Sequence, residues 1–411
     1  MTSSNTPSRS TPLTAWLTLF VLATAGFLAL AVELSPAGLL TRMAPDLGSD
    51  VATAGSLTAL YSVGNAVLVI PLTAWVLRFN RRNVLSAALL IFALSNVAVA
   101  VSSELAPALV ARFVAGGAHG LLMVLSPVVA MRVVHPDHRG KALAIVIGAN
   151  TVGIAVGAPL TSIIGTTFGW QATFHAAAGL ALICAVLLWV TVPSFRTQRE
   201  ARVSIMETLR QPGVGRLAVA WALMMMGYLG VITYIDPYLA ELGAPPVLVS
   251  GALFVFGVAG LIGVWAAARI ASKSRMIALV SMPSVMVVAL AAMALAISNI
   301  GIILLLLAFW GAGFAGAILI NQQVLLQVGW RAPETAGSIG VVFSQAGMAV
   351  GSVLGGVVLS TTGVLTVPLL GAVSIAVAML LFIGLSKTVR HATQDQAKSE
   401  NEQQLVPALG S

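Results

Sequence analysis

Long apolar runs separated by short polar breaks fill almost the whole chain. Read from break to break, they predict twelve helices, over roughly 13–41, 53–78, 83–102, 105–133, 141–166, 169–192, 215–240, 247–271, 275–298, 300–329, 335–361 and 365–387. Each is near the about 20 apolar residues that cross a bilayer's hydrocarbon core. One polar connection is longer than the others: Pro193–Gly215, with Arg196, Arg199, Arg202 and Arg210, whose SIMETLR segment suits a short surface helix. It leaves six helices on either side. The expected organisation is a polar segment 1–13, a six-helix bundle 14–192, a linker 193–214, a second bundle 215–388 and a disordered polar tail 389–411.

The halves repeat. Gly26–Pro36 (GFLALAVELSP) and Gly227–Pro237 (GYLGVITYIDP) both open Gly-aromatic-Leu, end on proline and carry one acid, Glu33 or Asp236. Helices 2 and 8 pair Leu60 with Leu253, Tyr61 with Phe254, Gly64 with Gly257 and Arg82 with Arg275. Helices 4–5 and 10–11 pair Gly116 with Gly311 and Asn150 with Gln345. Four segments matching in order predict an all-α membrane protein of two six-helix pseudo-repeats, parallel about an axis along the membrane normal, with a site between them at mid-membrane.

Composition agrees and narrows the class. Of 411 residues 58 % are hydrophobic and only 8 % charged, with a mean hydropathy of +0.99, whereas soluble domains carry about 25 % charged residues. A net charge of +8 raises the possibility of a nucleic-acid partner, but all 21 Lys and Arg except Arg42 and Arg112 fall in the N-terminus, the even-to-odd connections, the linker and the tail. That is the positive-inside pattern, with both termini cytoplasmic and the bilayer, not nucleic acid, as the partner. The single cysteine, Cys184, excludes a disulfide framework or a thiolate metal cluster. No phosphate-binding loop, H-E-x-x-H or G-x-S-x-G occurs, so ATP-driven transport and the common hydrolases lack their residues, and an enzyme is not expected. Cofactor and metal are both expected to be none, with protons as the coupling ion.

An acid at membrane depth costs at least about 2.5–3.5 kcal/mol and marks an ion or substrate pathway. Glu33, Arg112 and Asp236 lie a few turns from the external ends of their helices, in the outer half of the membrane at about 1.5 Å per residue. Arg112 can keep a neighbouring Glu33 ionised and release it on protonation; the alternative is a permanent pair that only holds the bundle. His119 and Ser126 continue the Arg112 face of helix 4, His119 as a proton relay, a ligand donor or a packed histidine. The repeat-related amides Asn150 and Gln345 either bind substrate or bond helices together. Trp310, Phe314 and Asn321 form a stripe on helix 10 that suits a sugar ring, an aromatic drug or plain packing. Tyr61 and Tyr234 are candidates to line the upper cavity. Gly153 and Gly157, with Ala149, give helix 5 a face for close helix approach, and Pro159 loosens it.

Four motifs resemble the major facilitator superfamily, in its twelve-helix drug:proton antiporter branch near the bacterial sugar-efflux members. They are Glu33-Leu34-Ser35-Pro36-Ala37-Gly38-Leu39-Leu40, Arg112 to Gly116, Gly153 to Gly157 with Pro159, and Tyr234-Ile235-Asp236-Pro237. The family's loop motif between helices 2 and 3 is degraded: Thr73, Leu77 and Asn80 replace two glycines and an acid, while Arg78, Arg81 and Arg82 remain. The motif's charge-relay role is therefore not carried over, and the arginines are read as topology anchors. The resemblance implies a proton-coupled efflux antiporter of the bacterial inner membrane, monomeric, exporting a sugar or drug-like molecule by alternating access. Protons would bind at Glu33 and Asp236, with Arg112 as counter-charge. A proton symporter or uniporter importing a sugar or metabolite is the alternative within transport. A non-transporting sensor on the same fold is the alternative outside it.

Overall fold

The computed structural model describes residues 12–76, 78–194, 204–295 and 299–385. Most of the 1–13 segment, the 389–411 tail, Leu77 and the linker arginines Arg196, Arg199 and Arg202 lie outside the described residues.

Twelve helices among the described residues are long and apolar enough to cross a membrane. In chain order they are α1 (Pro12–Leu34), α2 (Ser56–Val76), α3 (Arg81–Ala100), α4 (Leu105–Val133), α5, α6 (Trp170–Thr191), α7 (Val214–Ile232), α8 (Pro246–Ala271), α9 (Arg275–Met293), α10 (Ile300–Val328), α11 (Pro333–Thr362) and α12 (Val367–Ile383). Helix α5 is composite: Arg139–Val152, a π-helical turn Gly153–Gly157, then Ala158–Phe168. The two echo stretches end their helices early. Pro36 and Pro237 fall just past the ends of α1 and α7, and the chain resumes as the turn Ser35–Gly38 with helix Leu40–Asp46, and as helix Ile235–Glu241. The first and seventh helices are thus shorter than the pattern of apolar residues suggests, because an apolar run does not register a break between two helices. Short polar side chains mark other starts: Asn80, Ser274 and Asn299 accept from backbone amides at the heads of α3, α9 and α10. In the linker, Ile205–Leu209 is helical.

Large apolar side chains such as Leu182, Ile183, Val186 and Val190 stand exposed along α6, the arrangement a lipid-facing surface requires. Inside, where lipid gives no hydrophobic drive for helices to associate, glycines bring backbones together. A side chain on Gly64 would meet the Phe113 carbonyl and one on Gly116 the Tyr61 carbonyl, so α2 lies against α4. Gly311 on the Phe256 carbonyl and Gly263 on the Ala312 carbonyl do the same for α10 and α8. The pairing α2·α4, α3·α6 and α1·α5 recurs as α8·α10, α9·α12 and α7·α11. The fold is therefore all-helical, with two six-helix pseudo-repeats.

The halves meet where α2 packs on α11 and where the π turn and second limb of α5 pack on α8. A set of hydrogen bonds clasps them at the end of the bundle opposite the termini. Across the halves, Tyr234 Oη, which also meets the Ser352 carbonyl of its own half (2.9 Å), donates to the Ala52 carbonyl (3.1 Å), Ser352 Oγ donates to the Gly55 carbonyl (2.9 Å), and Ser162 and Ser250 share a hydroxyl bond (2.8 Å). Toward the other end, the limb Arg139–Val152 packs on α1 and α4 of its own half and leaves Ala144, Ile147 and Gly148 exposed.

Candidate functional site

Helix α1 ends at Leu34, so the carbonyls of its last turn lack intrahelical partners. Arg112, buried on α4, fills that need. Its Nη1 donates to the Val32 carbonyl (2.9 Å), Nη2 to the Glu33 carbonyl (3.0 Å) and Nε to the Leu57 carbonyl of α2 (3.0 Å). The Tyr61 ring lies 4.2 Å from the guanidinium and its hydroxyl donates to the Ala29 carbonyl (3.1 Å). One arginine therefore joins three helices. Because its donors are directed to backbone, Arg112 grips Glu33 by the carbonyl and leaves the carboxylate facing elsewhere.

That carboxylate is 1 % exposed. His119 Nδ1 stands 3.9 Å from Oε2, and the His119 ring lies 5.6 Å from that of Tyr61. Gln345 of α11 reaches Glu33 from the other half, and Arg112 remains in its electrostatic neighbourhood. Oε1 of Glu33, Nδ1 of His119 and Oε1 of Gln345 are buried without hydrogen-bond partners. The structure thus brings together Glu33, Arg112, His119, Tyr61 and Gln345 at the junction of the halves.

Asp236 does not join this group. Its Oδ2 accepts from the amide and hydroxyl of Thr41 (2.8 and 2.6 Å), which adds a carboxylate to the clasp. Tyr234 belongs to the clasp as well, its hydroxyl lodged against Gly55 and Gly356. Asn150 donates to Met123 Sδ (3.5 Å) and its Oδ1 rests on Gly26. Asn321 donates to the Ala317 carbonyl (2.9 Å) and leaves Oδ1 buried and unpartnered. Trp310 and Phe314 share a cluster with Tyr228 and Phe256: Tyr228 stacks on Phe314 with centroids 3.7 Å apart, and Phe256 meets Trp310 edge-on at 5.0 Å. Tyr228 and Phe256 escaped the sequence reading. Tyr228 carried a signal, since it fills the aromatic position of the second echo stretch, opposite Phe27.

In α5, a side chain on Gly153 would lie 2.9 Å from the Phe27 carbonyl and one on Gly157 2.6 Å from Ala31 Cβ, so α1 is pressed against the π turn. Pro159 offers no amide to the Ala155 carbonyl, and the wide turn accommodates the gap. Arg78 lies over Trp75 and Phe79, and Arg82 over Trp189. Arg81 is buried and donates to the Val76 carbonyl (3.3 Å). All three stay at the α2–α3 connection.

Arg112→Ala should lower stability by roughly 3 kcal/mol, because three buried carbonyls lose a charged donor at about 1 kcal/mol or more each. Thermal unfolding in detergent measures it. Arg112→Lys should restore only part, as one ammonium cannot reproduce the fork.

The Major Facilitator Superfamily profile matches residues 15–344. The transcription regulatory protein OpdE of Pseudomonas aeruginosa is 29 % identical over 358 residues, covering 85 % of this chain and 88 % of that protein. The purine ribonucleoside efflux pump NepI of Shigella sonnei is 28 % identical over 379 residues, covering 89 % and 93 %. The crystal structure of a bacterial homolog of the human lysosomal transporter Spinster, inward-facing and unoccupied, matches with a TM-score of 0.76 at 14 % identity, over 93 % of this chain and 99 % of that one.

Proposed function

The chain belongs to the major facilitator superfamily, and from that premise we propose that this multi-pass membrane transporter is a proton-coupled exporter of a small molecule, a purine ribonucleoside or a similar compound. The observation that carries the reading is Glu33: a buried carboxylate at the junction of the halves, 3.9 Å from His119 and met by Gln345 from across the interface. An intramembrane acid is retained at a cost of about 2.5–3.5 kcal/mol or more, which a proton site justifies. Ionised Glu33 attracts the Gln345 amide. Protonation removes that charge and weakens the cross-half contact, which biases the rocking of one half against the other. Asp236, bonded to Thr41, supplies a second carboxylate at the clasp. In this reading the membrane is a bacterial inner membrane, and the distribution of Lys and Arg supports cytoplasmic termini. On that topology the clasped end is external.

Within the sugar or drug-like range, the relative NepI supports a ribonucleoside, which combines a flat base with a sugar. The test uses purified protein, expected to be a monomer, in liposomes with labelled adenosine. An acidic lumen should drive uphill uptake that a protonophore abolishes. Uptake driven by an acidic exterior would instead identify a symporter, and exchange indifferent to the gradient a uniporter. No flux of adenosine, sugars or lipophilic cations would favour the sensor reading, to which the relative OpdE, a transcription regulatory protein, lends support.

A further inference from the structure

We infer that the two halves divide the work of the site: the first half holds the proton, and the second half reads a planar heteroaromatic ring through Phe314, Asn321, Trp310 and Tyr228. This rests on the transporter reading of the same site and adds how its substrate is recognised.

The division is written in the repeat. With Gly116 set on Gly311, the α4 stripe Arg112, His119 and Ser126 falls on Leu307, Phe314 and Asn321 of α10. With Gly26 on Gly227, Glu33 falls on Tyr234 and Phe27 on Tyr228. The acid, the arginine and the histidine of the central site therefore all belong to the first half, and the second half answers with rings and amides. Its polar atoms are poised for a ligand. Trp310 Nε1 is a buried donor, Asn321 Oδ1 and Gln345 Oε1 are buried acceptors, and none has a hydrogen-bond partner. Trp310 and Asn321 are 0 % exposed, and leaving such groups unmatched is costly unless something binds there. A donor and acceptors beside stacked rings match what a purine presents, donors and acceptors on its edge and π-faces above and below.

Tyr228 gives the mechanism. Its ring lies on Phe314 at 3.7 Å with 16° between planes, the geometry of two stacked rings. It also stands within the electrostatic reach of Glu33. In this form Tyr228 occupies the stacking face of Phe314, and loading exchanges it for the ligand's base. The base then lies between the aromatic wall and the Glu33–His119 pair, so its arrival is felt at the proton site.

The experiment measures binding of adenosine and of ribose to purified protein. Native protein should prefer adenosine strongly. Phe314→Leu and Asn321→Leu should each weaken adenosine binding about tenfold or more, the loss expected for a missing stack or edge contact, and flatten the preference over ribose. Phe314→Tyr, which keeps the ring, should retain the affinity. Rescue by tyrosine but not leucine separates recognition from folding, and gel filtration and thermal unfolding of each variant confirm it. Native-like adenosine binding by both leucine variants overturns the inference, as does equal affinity of the native protein for adenosine and ribose. Gradient-driven flux is scored separately. If the leucine variants lose binding but native transport ignores the proton gradient, proton coupling fails while ring recognition stands. If transport follows the gradient but the variants bind normally, only the inference falls.

Discussion

Glu33→Gln should reduce gradient-driven accumulation of substrate to the level seen without a gradient, a loss of tenfold or more, with exchange across a symmetric membrane persisting at reduced rate. Glutamine matches the volume of the acid and carries its neutral state permanently, so the site would behave as if always protonated. The residues around it explain why no other group substitutes. Arg112 is directed to the Val32, Glu33 and Leu57 carbonyls, and it cannot accept a proton in this context. His119, 3.9 Å away, stands beside the acid and loses its partner's charge in the variant. Asp236→Asn separates the two acids. Asp236 is held by Thr41 in the clasp, so its amide should shift the balance between closed and open forms of the clasped end yet leave a response to the gradient. Measured in liposomes with acidic lumens, a normal gradient response of Glu33→Gln would remove Glu33 from coupling and leave Asp236 as the remaining acid to test.

Much of this was legible in the chain because membranes make sequence speak plainly. Backbone groups in lipid must be bonded within helices, so apolar runs report spans almost directly, and the repeat between Gly26–Pro36 and Gly227–Pro237 reports the symmetry. The rarity of charge inside drew attention to Glu33, Arg112 and Asp236 for the same reason. Position along a helix reports depth, but not which group a side chain faces. Glu33 and Asp236 are each the one acid of an echo stretch, but Glu33 falls opposite Tyr234 and Asp236 opposite Ser35, and Pro36 and Pro237 turn the following segments so that Thr41 meets Asp236, while Glu33 stays at the centre. Arg112 and Glu33 have complementary charge, but the Val32 and Glu33 carbonyls at the end of α1 compete for the guanidinium and take it, the Val32 carbonyl accepting from the Ser35 hydroxyl as well. Tyr228 and Phe256 were hidden among many apolar residues, since only the folded helices show which rings stack. The π turn at Gly153–Gly157 likewise follows from the combination of Pro159 with helices pressing on both sides, α1 from one and α8 from the other.

That last contact yields the other large expected effect. Gly64 and Gly257 are related by the repeat but do different jobs. A side chain on Gly64 meets the Phe113 carbonyl within its own half, whereas one on Gly257 meets the Ala155 carbonyl across the interface. Gly64→Val should therefore damage the first bundle in every conformation. Gly257→Val should penalise only the form in which α8 lies against the π turn. Overpacking of this kind costs about 1–3 kcal/mol, and each 1.4 kcal/mol changes a conformer ratio about tenfold. The clasp bond between Ser162 and Ser250 lies on the same pair of helices and should part with it. Spin labels at Phe168 and Val247, both strongly exposed at the clasped end, report the change in a Cys184→Ala background. Gly257→Val should lengthen their separation and stop gradient-driven transport, with thermal stability falling less than in Gly64→Val. An unchanged distance distribution together with normal transport would show that the α5–α8 contact does not hold the closed end. The rocking axis would then have to be sought at α2 and α11, where Ser352 and Gly55 make the corresponding contact.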